Sequence, residues 1–292
     1  MSVVSGIGQR LRQAISDTGV IPAFSPFAQP TQGRGRVLAV AAQKGGVGKT
    51  TTAVHLAAAL AMNHGLRVLL VDLDNQGHVA SSLRAHVRTT SSVSVSNALL
   101  ASEPDLLGAA LPTMIDGLHI TGADKQLSSA EAQLAGRMGR EMLLMRALRN
   151  ARVQYDAIVL DCPPNLGLLT VNALLAADHV LIPCDLSVLS LEGVDDLMRT
   201  LGNMEAMFGR SPRLLGLLHT RVDRRNQKQN ATIRRAVAER YAGLPFQTEI
   251  GVNTALPGAQ LQGQSIFHAQ PDSSGARDYA ALAAEVHGKI FA

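Results

Sequence analysis

The sequence has no tryptophan, and aromatic residues of all kinds make up 3% of its 292 positions. Stacking of bases on a row of aromatic side chains is therefore excluded as a mode of binding. Its two cysteines, Cys162 and Cys184, exclude a disulfide framework and a closed four-cysteine zinc site within one chain. The histidines show no metal-ligand spacing. No apolar run approaches the ~18 residues that a membrane-spanning helix needs, which argues against stable insertion in a bilayer. Near the start, Gln9, Arg10, Arg12, Gln13 and Asp17 stand where a signal peptide carries its apolar core, so the expected compartment is the cytoplasm. No internal repeat is visible.

Hydrophobic residues reach 46% and charged residues 17%, the balance of a folded chain rather than a disordered one. The length allows one large α/β domain or two small ones. The net charge of +4 is unevenly placed: residues 210–240 hold nine bases against Asp223 and Glu239, and residues 1–36 hold four bases against Asp17. Such concentration points to a polyanionic partner at a surface. Residues 1–35 read as an N-terminal extension, with Ile7, Leu11, Ala14 and Ile15 at the spacing of a short basic amphipathic helix. Pro22, Pro26, Pro30, Gly33 and Gly35 then mark a flexible linker.

From residue 36 to residue 292 strands alternate with helices. Strands are expected at Val37–Ala42, Arg67–Asp72, Leu118–Thr121, Ala157–Asp161, His179–Pro183, Leu214–Thr220 and Pro245–Ile250. Helices are expected at Thr51–Met62, Glu141–Ala151, Gly167–Ala177, Leu191–Met207, Ala231–Tyr241 and Ala276–Ile290, while residues 86–117 show no clear pattern. Strands apolar on both faces and separated by helices imply an α/β fold, doubly wound, with a mostly parallel sheet covered on both sides.

The first of these strands runs directly into Gln43-Lys44-Gly45-Gly46-Val47-Gly48-Lys49-Thr50-Thr51 and then into a helix. Glycines let such a loop curl so that its N–H groups face phosphate oxygens, and the helix N-terminus adds partial positive charge. Lys49 is placed to reach β- and γ-phosphates, and the Thr50 hydroxyl to ligate Mg²⁺. A glycine turn without a ligand is the bland alternative; the strand before, the helix after and the Gly48-Lys49-Thr50 junction weigh against it.

A lysine at position 44, where the ordinary phosphate loop begins with glycine, resembles the deviant Walker A motif of the ParA/MinD superfamily. Asp72-Leu73-Asp74-Asn75-Gln76-Gly77 is similar to that family's switch I, and Tyr155–Gly167 to its Walker B strand and switch II. The segment from Asp161 to Pro183, and Gly275–Tyr279, look like the short ParA (Soj-like) partition ATPases rather than MinD. The resemblance implies a P-loop NTPase that binds ATP with Mg²⁺ and hydrolyses it slowly unless stimulated. It also implies that Lys44 crosses a dimer interface to the partner's nucleotide and that Asp74 positions the attacking water. Asp72 and Asp161 then lie at the metal, and Gly167 offers its N–H to the γ-phosphate. Asp223 and Asn253 become candidate adenine contacts. Asn75 stands where the family usually has proline, which is expected to loosen the loop. Ile250-Gly251-Val252-Asn253 lacks the family's arginine for DNA.

The family also implies an ATP-dependent homodimer that coats DNA non-specifically in the nucleoid, and a stimulating partner, ParB-like or a cargo adaptor, with the N-terminal extension a candidate contact for it. The contact surface for DNA is expected at Arg221, Arg224, Arg225, Lys228, Arg234 and Arg235, since Asp223 and Glu239 are too few to neutralise the cluster; a solvated helix face is the bland reading. Chromosome or plasmid segregation leads. The alternatives are positioning of another cargo (the division site, a protein cluster or a microcompartment) and, further off, a metabolic ligase of the superfamily. An iron–sulfur cluster shared across a dimer through Cys162 and Cys184 is outweighed by the plainer role of small buried side chains.

Overall fold

The computed structural model describes residues 35–89, 93–122 and 124–291. The N-terminal extension expected over residues 1–35 therefore lies outside the described residues, apart from Gly35. The described strands are β1 Arg36–Val40, β2 Val68–Asp72, β3 Ala110–Pro112, β4 Leu118–Thr121, β5 Ala157–Asp161, β6 His179–Asp185 and β7 Arg213–Thr220. The helices are α1 Lys49–His64, α2 His78–Ser82, α3 Val95–Leu100, α4 Leu127–Leu134, α5 Leu143–Ala147, α6 Ala151–Gln154, α7 Leu168–Ala176, α8 Val188–Phe208, α9 Gln227–Arg240, α10 Ala255–Gln262, α11 Ile266–Ala269 and α12 Ser274–Ile290. None of the described helices is long and apolar enough to cross a membrane.

The sheet order is β3-β4-β2-β5-β1-β6-β7. All pairings are parallel except β3 on β4. Strand alternation divides the core in two. Val37, Ala39, Leu69, Val71, Ile158 and Leu160 face one layer, which holds α3 to α9. Leu38, Val40, Val68, Leu70 and Val159 face the other, where the alanine-rich α1 packs against α12. β1 lies between β5 and β6, so the chain leaves its carboxyl end at the point where the winding reverses, the place where open α/β sheets form a ligand crevice. A buried ion pair fixes the opposite end of β1: Arg152 meets Asp178 at 2.7 Å, and the Asp178 carboxylate also accepts the Val37 N–H at 2.8 Å.

Two expected elements differ. The helix expected over Glu141–Ala151 is broken into a short 3₁₀ turn, α5 and α6. The Ala147 carbonyl accepts from Leu106 N–H, and the Asn172 amide bonds both Leu144 N–H and the Arg140 carbonyl, so tertiary partners replace helical ones. The strand expected at Pro245–Ile250 is reduced to isolated bridges beside β7. The Glu285 carboxylate takes the Gln247 and Thr248 N–H groups at 3.1 and 3.0 Å, which leaves them nothing to donate to a ladder. This segment still packs tightly: a Cβ on Gly216 of β7 would meet the Phe246 ring at 2.8 Å. Within residues 86–117, Ser94 and Asn97 form a capping box that starts α3, and Pro112 ends the short edge strand β3.

His55 sits fully buried in α1, with Nδ1 accepting the Ile266 N–H at 3.4 Å and its ring 5.1 Å from that of Tyr279. Burial pushes its pKa down to about 3. The folded state therefore keeps His55 neutral while the unfolded chain takes up a proton below about pH 6.5, so its contribution to stability falls as pH drops from about 6.5 towards 3. In denaturant titrations at pH 7 and pH 5, His55→Gln, which retains an acceptor, is expected to lose about 2 kcal/mol less than the native protein over that interval. Equal losses in the two proteins would refute this assignment.

Candidate nucleotide site

The loop between β1 and α1 takes its shape from Gly46 and Gly48, whose φ angles of 76° and 84° suit glycine alone without strain. The loop is pinned from outside by Thr220, whose hydroxyl donates to the Val47 carbonyl at 2.8 Å. Lys49, Thr50 and Thr51 open α1 directly behind Gly48, which brings the helix N-terminus and its N–H groups to the crevice. Gly45 has open space where a Cβ would stand.

Lys49 is largely buried, and its ammonium donates to the Lys44 carbonyl at 3.1 Å. Burial lowers its pKa, with Asp161 the first of the charges that oppose this. Asp161 ends β5 fully buried, and neither carboxylate oxygen has a hydrogen-bond partner. Asp72 ends β2 directly alongside, in register with Asp161. It accepts the N–H groups of Asp74 and Val79 at 3.0 and 3.1 Å, while burial pushes its pKa up to about 7 against those bonds. Burial, and next the Asp72 charge, raise Asp161 well above the usual carboxylate range. An unpartnered buried carboxylate beside a second one fits a hard divalent cation. Among the described residues no group of three or more His, Cys, Asp or Glu side chains could hold a metal, so Thr50, Asp72 and Asp161 would need phosphate and water oxygens to complete an octahedral shell, as suits Mg²⁺.

The switch segments are tied down in ways the sequence did not show. Asp74 is half-buried, and its Oδ1 accepts the Gln76 N–H at 3.1 Å. Asn75, expected to loosen this loop, instead donates its amide to the Ser128 hydroxyl of α4. One turn further along α4, Glu131 accepts the Leu169 N–H at the start of α7. The Gly167 N–H, expected to face a γ-phosphate, is held by the Asn165 side chain at 3.3 Å. Lys44 reaches neither Asp72 nor Asp161; it pairs with Asp185 at the end of β6 at 3.0 Å and with the Ser187 hydroxyl at 3.2 Å. Sequence reading missed Asp185 and Ser187, since only the β1–β6 pairing brings them near residue 44.

A cleft of about 340 Å³ continues from the loop, lined by Gly46, Gly48, Thr51, Arg221, Gly251, Asn253, Leu256 and Tyr279 among others. Asn253 lies in it, but its amide caps α10 through the Ala255 N–H at 2.6 Å and bonds Ser274 at 2.6 Å. Asp223 does not line the cleft; its carboxylate pairs with Arg225 at 2.9 Å. The basic cluster is also less free than its local sequence suggests. Arg224 meets Asp278 at 3.4 Å, Arg234 meets Glu249 at 2.6 Å, and half-buried Arg240 meets Asp195 at 2.7 Å. The acids come from elsewhere in the chain, which corrects the expectation that Asp223 and Glu239 alone are available. Lys228 and Arg235, seven residues apart on α9, are exposed. Cys162 and Cys184 are both buried; burial pushes the Cys184 thiol up to about 12 and raises Cys162 as well, as befits packing groups rather than reactive ones.

Because Asp161 is buried beside a like charge, Asp161→Asn is expected to stabilise the protein when neither metal nor nucleotide is bound. At pH 8 in chelator its thermal midpoint should rise by roughly 2–6 °C, read by calorimetry. A lower midpoint would mean that the carboxylate has a stabilising partner.

Residues 35–211 match the family model described as an AAA domain. The sporulation initiation inhibitor protein Soj of Bacillus subtilis is 37% identical over 252 residues, which span 86% of this chain and 98% of that protein. The chromosome-partitioning ATPase Soj of Thermus thermophilus is 42% identical over 258 residues, 87% of this chain and 96% of that protein. Among solved structures, the cobyrinic acid a,c-diamide synthase from Mycobacterium smegmatis with bound ADP and magnesium superposes with a TM-score of 0.72 at 37% identity, covering 88% of this chain and 96% of that one. With a phosphate loop opened by Lys44, paired strand-end aspartates and this degree of likeness along most of its length, the chain belongs to the ParA/MinD superfamily, as a Soj-like ATPase.

Proposed function

We propose that this protein is a ParA-type ATPase that binds ATP with Mg²⁺, closes into a sandwich dimer around two nucleotides, and in that form binds DNA without regard to sequence. Hydrolysis, stimulated by a ParB-like protein or a cargo adaptor, releases it, and the cycle segregates chromosome or plasmid DNA in the nucleoid. The observation that carries this reading is the pair of lysines on one loop. Lys49 is buried against Asp161 inside the crevice, whereas Lys44 lies at its rim, held by half-exposed Asp185 and Ser187. A one-subunit site needs the first cation alone. Two nucleotides brought face to face need a second, and Lys44 rests on partners it can exchange for phosphate.

The chemistry is phosphoryl transfer to water, in which positioning and charge neutralisation provide most of the acceleration. Lys49 and the α1 N-terminus neutralise the terminal phosphates. Thr50, Asp72 and Asp161 would hold Mg²⁺, whose charge would help neutralise the terminal phosphates. Asp74, whose second carboxylate oxygen is free of the loop hydrogen bond, orients the water and takes its proton. Lys228 and Arg235 form the most available DNA contacts, with the exposed Arg224 and Arg225 exchanging their carboxylates for backbone phosphate. A second reading follows the Mycobacterium smegmatis likeness, whose description is that of a synthase. It requires ATP consumption to depend on a small-molecule acceptor, and ATP turnover by the purified protein with DNA and no acceptor would dismiss it.

Sedimentation with ATP separates the two lysine roles and the catalytic carboxylate. Lys44→Ala should bind ATP yet remain a monomer, and Asp74→Ala should accumulate as an ATP-bound dimer with turnover reduced roughly 10²-fold or more. A Lys44→Ala protein that dimerises normally would remove the cross-subunit role.

The double variant Lys228→Glu/Arg235→Glu should lose DNA binding in gel shifts with ATP while basal turnover stays within about twofold, since neither side chain lies in the crevice. For the native dimer, affinity should fall steeply with salt and vary little among duplex sequences. Undiminished binding by the double variant would move the surface away from α9.

A further inference from the structure

Arg221 is the one non-glycine residue with positive φ among the described residues, at 53°. Its neighbours are fixed on both sides. Thr220 is buried and bonds the phosphate loop at Val47, and Val222 is buried with its N–H on the Ile250 carbonyl at 3.0 Å. The left-handed turn between these anchors sends the guanidinium back over the loop, where it donates to the Gly46 carbonyl at 3.1 Å and lines the cleft beside Gly48 and Thr51. Neighbouring arginines behave differently: Arg224, Arg225 and Arg234 each pair with a carboxylate, and among the described residues none pairs with Arg221. An arginine kept in a sparsely populated backbone conformation, facing a cleft with N–H donors to spare, is arranged for an anion.

We infer that Arg221 is a nucleotide-positioning residue rather than part of the DNA surface. It braces the phosphate loop through Gly46 and donates to the 5′-phosphate end of the bound nucleotide, on the base side of Lys49. The inference rests on the reading that the cleft holds ATP. Since the α-phosphate is common to ATP and ADP, Arg221 contributes to both affinities alike and leaves the γ-phosphate chemistry to Lys49 and Asp74. A guanidinium offers two parallel donors, so lysine replaces its charge but not its geometry.

The test is fluorescence titration of the full chain with labelled ATP and ADP, together with turnover and DNA binding at several salt concentrations. Arg221→Ala should weaken both nucleotides about tenfold, with Arg221→Lys between it and the native protein. KM for ATP should rise in step while kcat stays within about twofold. Arg221→Gly, which suits the positive φ, should keep the native melting temperature and still bind nucleotide as weakly as Arg221→Ala, which separates lost contact from lost folding. The salt dependence of DNA binding should be unchanged in all three. Native nucleotide affinity in Arg221→Ala and Arg221→Gly would overturn the inference, and the more so if DNA binding were lost instead. If the native protein bound neither nucleotide, the ATP reading itself would fall and this inference with it.

Discussion

Asp72 and Asp161 stand side by side at the ends of adjoining strands, both buried, with the oxygens of one unpartnered. Two carboxylates in that position repel each other and have lost their water, so each is held above its ordinary pKa and holding them there costs stability. The rest of the molecule is arranged to hold them there. Up to these aspartates β2 and β5 are apolar and buried on both faces, the Asp74 and Val79 N–H groups support Asp72, and Lys49 brings a positive charge close by. Stability given up at the site is recovered in the two apolar layers on either side of the sheet.

The two lysines of the phosphate loop differ in how firmly they are committed. Lys49 is fixed by its place at the first turn of α1 and by its burial, and its bond to the Lys44 carbonyl keeps it inside the loop. Lys44 is held by a half-exposed carboxylate and a hydroxyl, a pairing of the kind that solvent and phosphate compete for readily. One cation is therefore built into the site, and the other rests at its rim on partners it can exchange. α4 adds a mechanical link, since Ser128 and Glu131 on successive turns hold Asn75 of switch I and the start of the switch II helix.

The basic segment shows how far tertiary pairing can redistribute charge. Arg234 with Glu249, Arg224 with Asp278, and Arg240 with Asp195 and the Tyr241 hydroxyl join α9 and its preceding loop to three other parts of the chain. These bonds orient α9 on the sheet and leave Lys228 and Arg235 outward. Electrostatic attraction for a polyanion then depends on fewer side chains than the net charge of the segment suggests, and on exposed pairs whose carboxylates phosphate can replace.

The sequence by itself determined the sheet class, the phosphate loop and the strand-end aspartates. Buried parallel strands write themselves as continuous apolar runs, and the loop is local, its glycines, lysine and threonine acting on the residues next to them. Five of the six expected helices, and every strand expected before Pro245, appear with ends shifted by a few residues at most. What only the tertiary structure decided were contacts between residues far apart in the chain. Lys44 turned to Asp185, 141 positions away, and exposed Arg221 reached across to the Gly46 carbonyl of the phosphate loop. The segment after Pro245 bonds β7 through the Phe246 and Ile250 N–H groups but is interrupted as a strand where Glu285, on α12, takes those of Gln247 and Thr248. A hydrogen bond or ion pair between distant residues costs the chain loop entropy that no local pattern records, and it forms only where the packed sheet has already brought the two groups together.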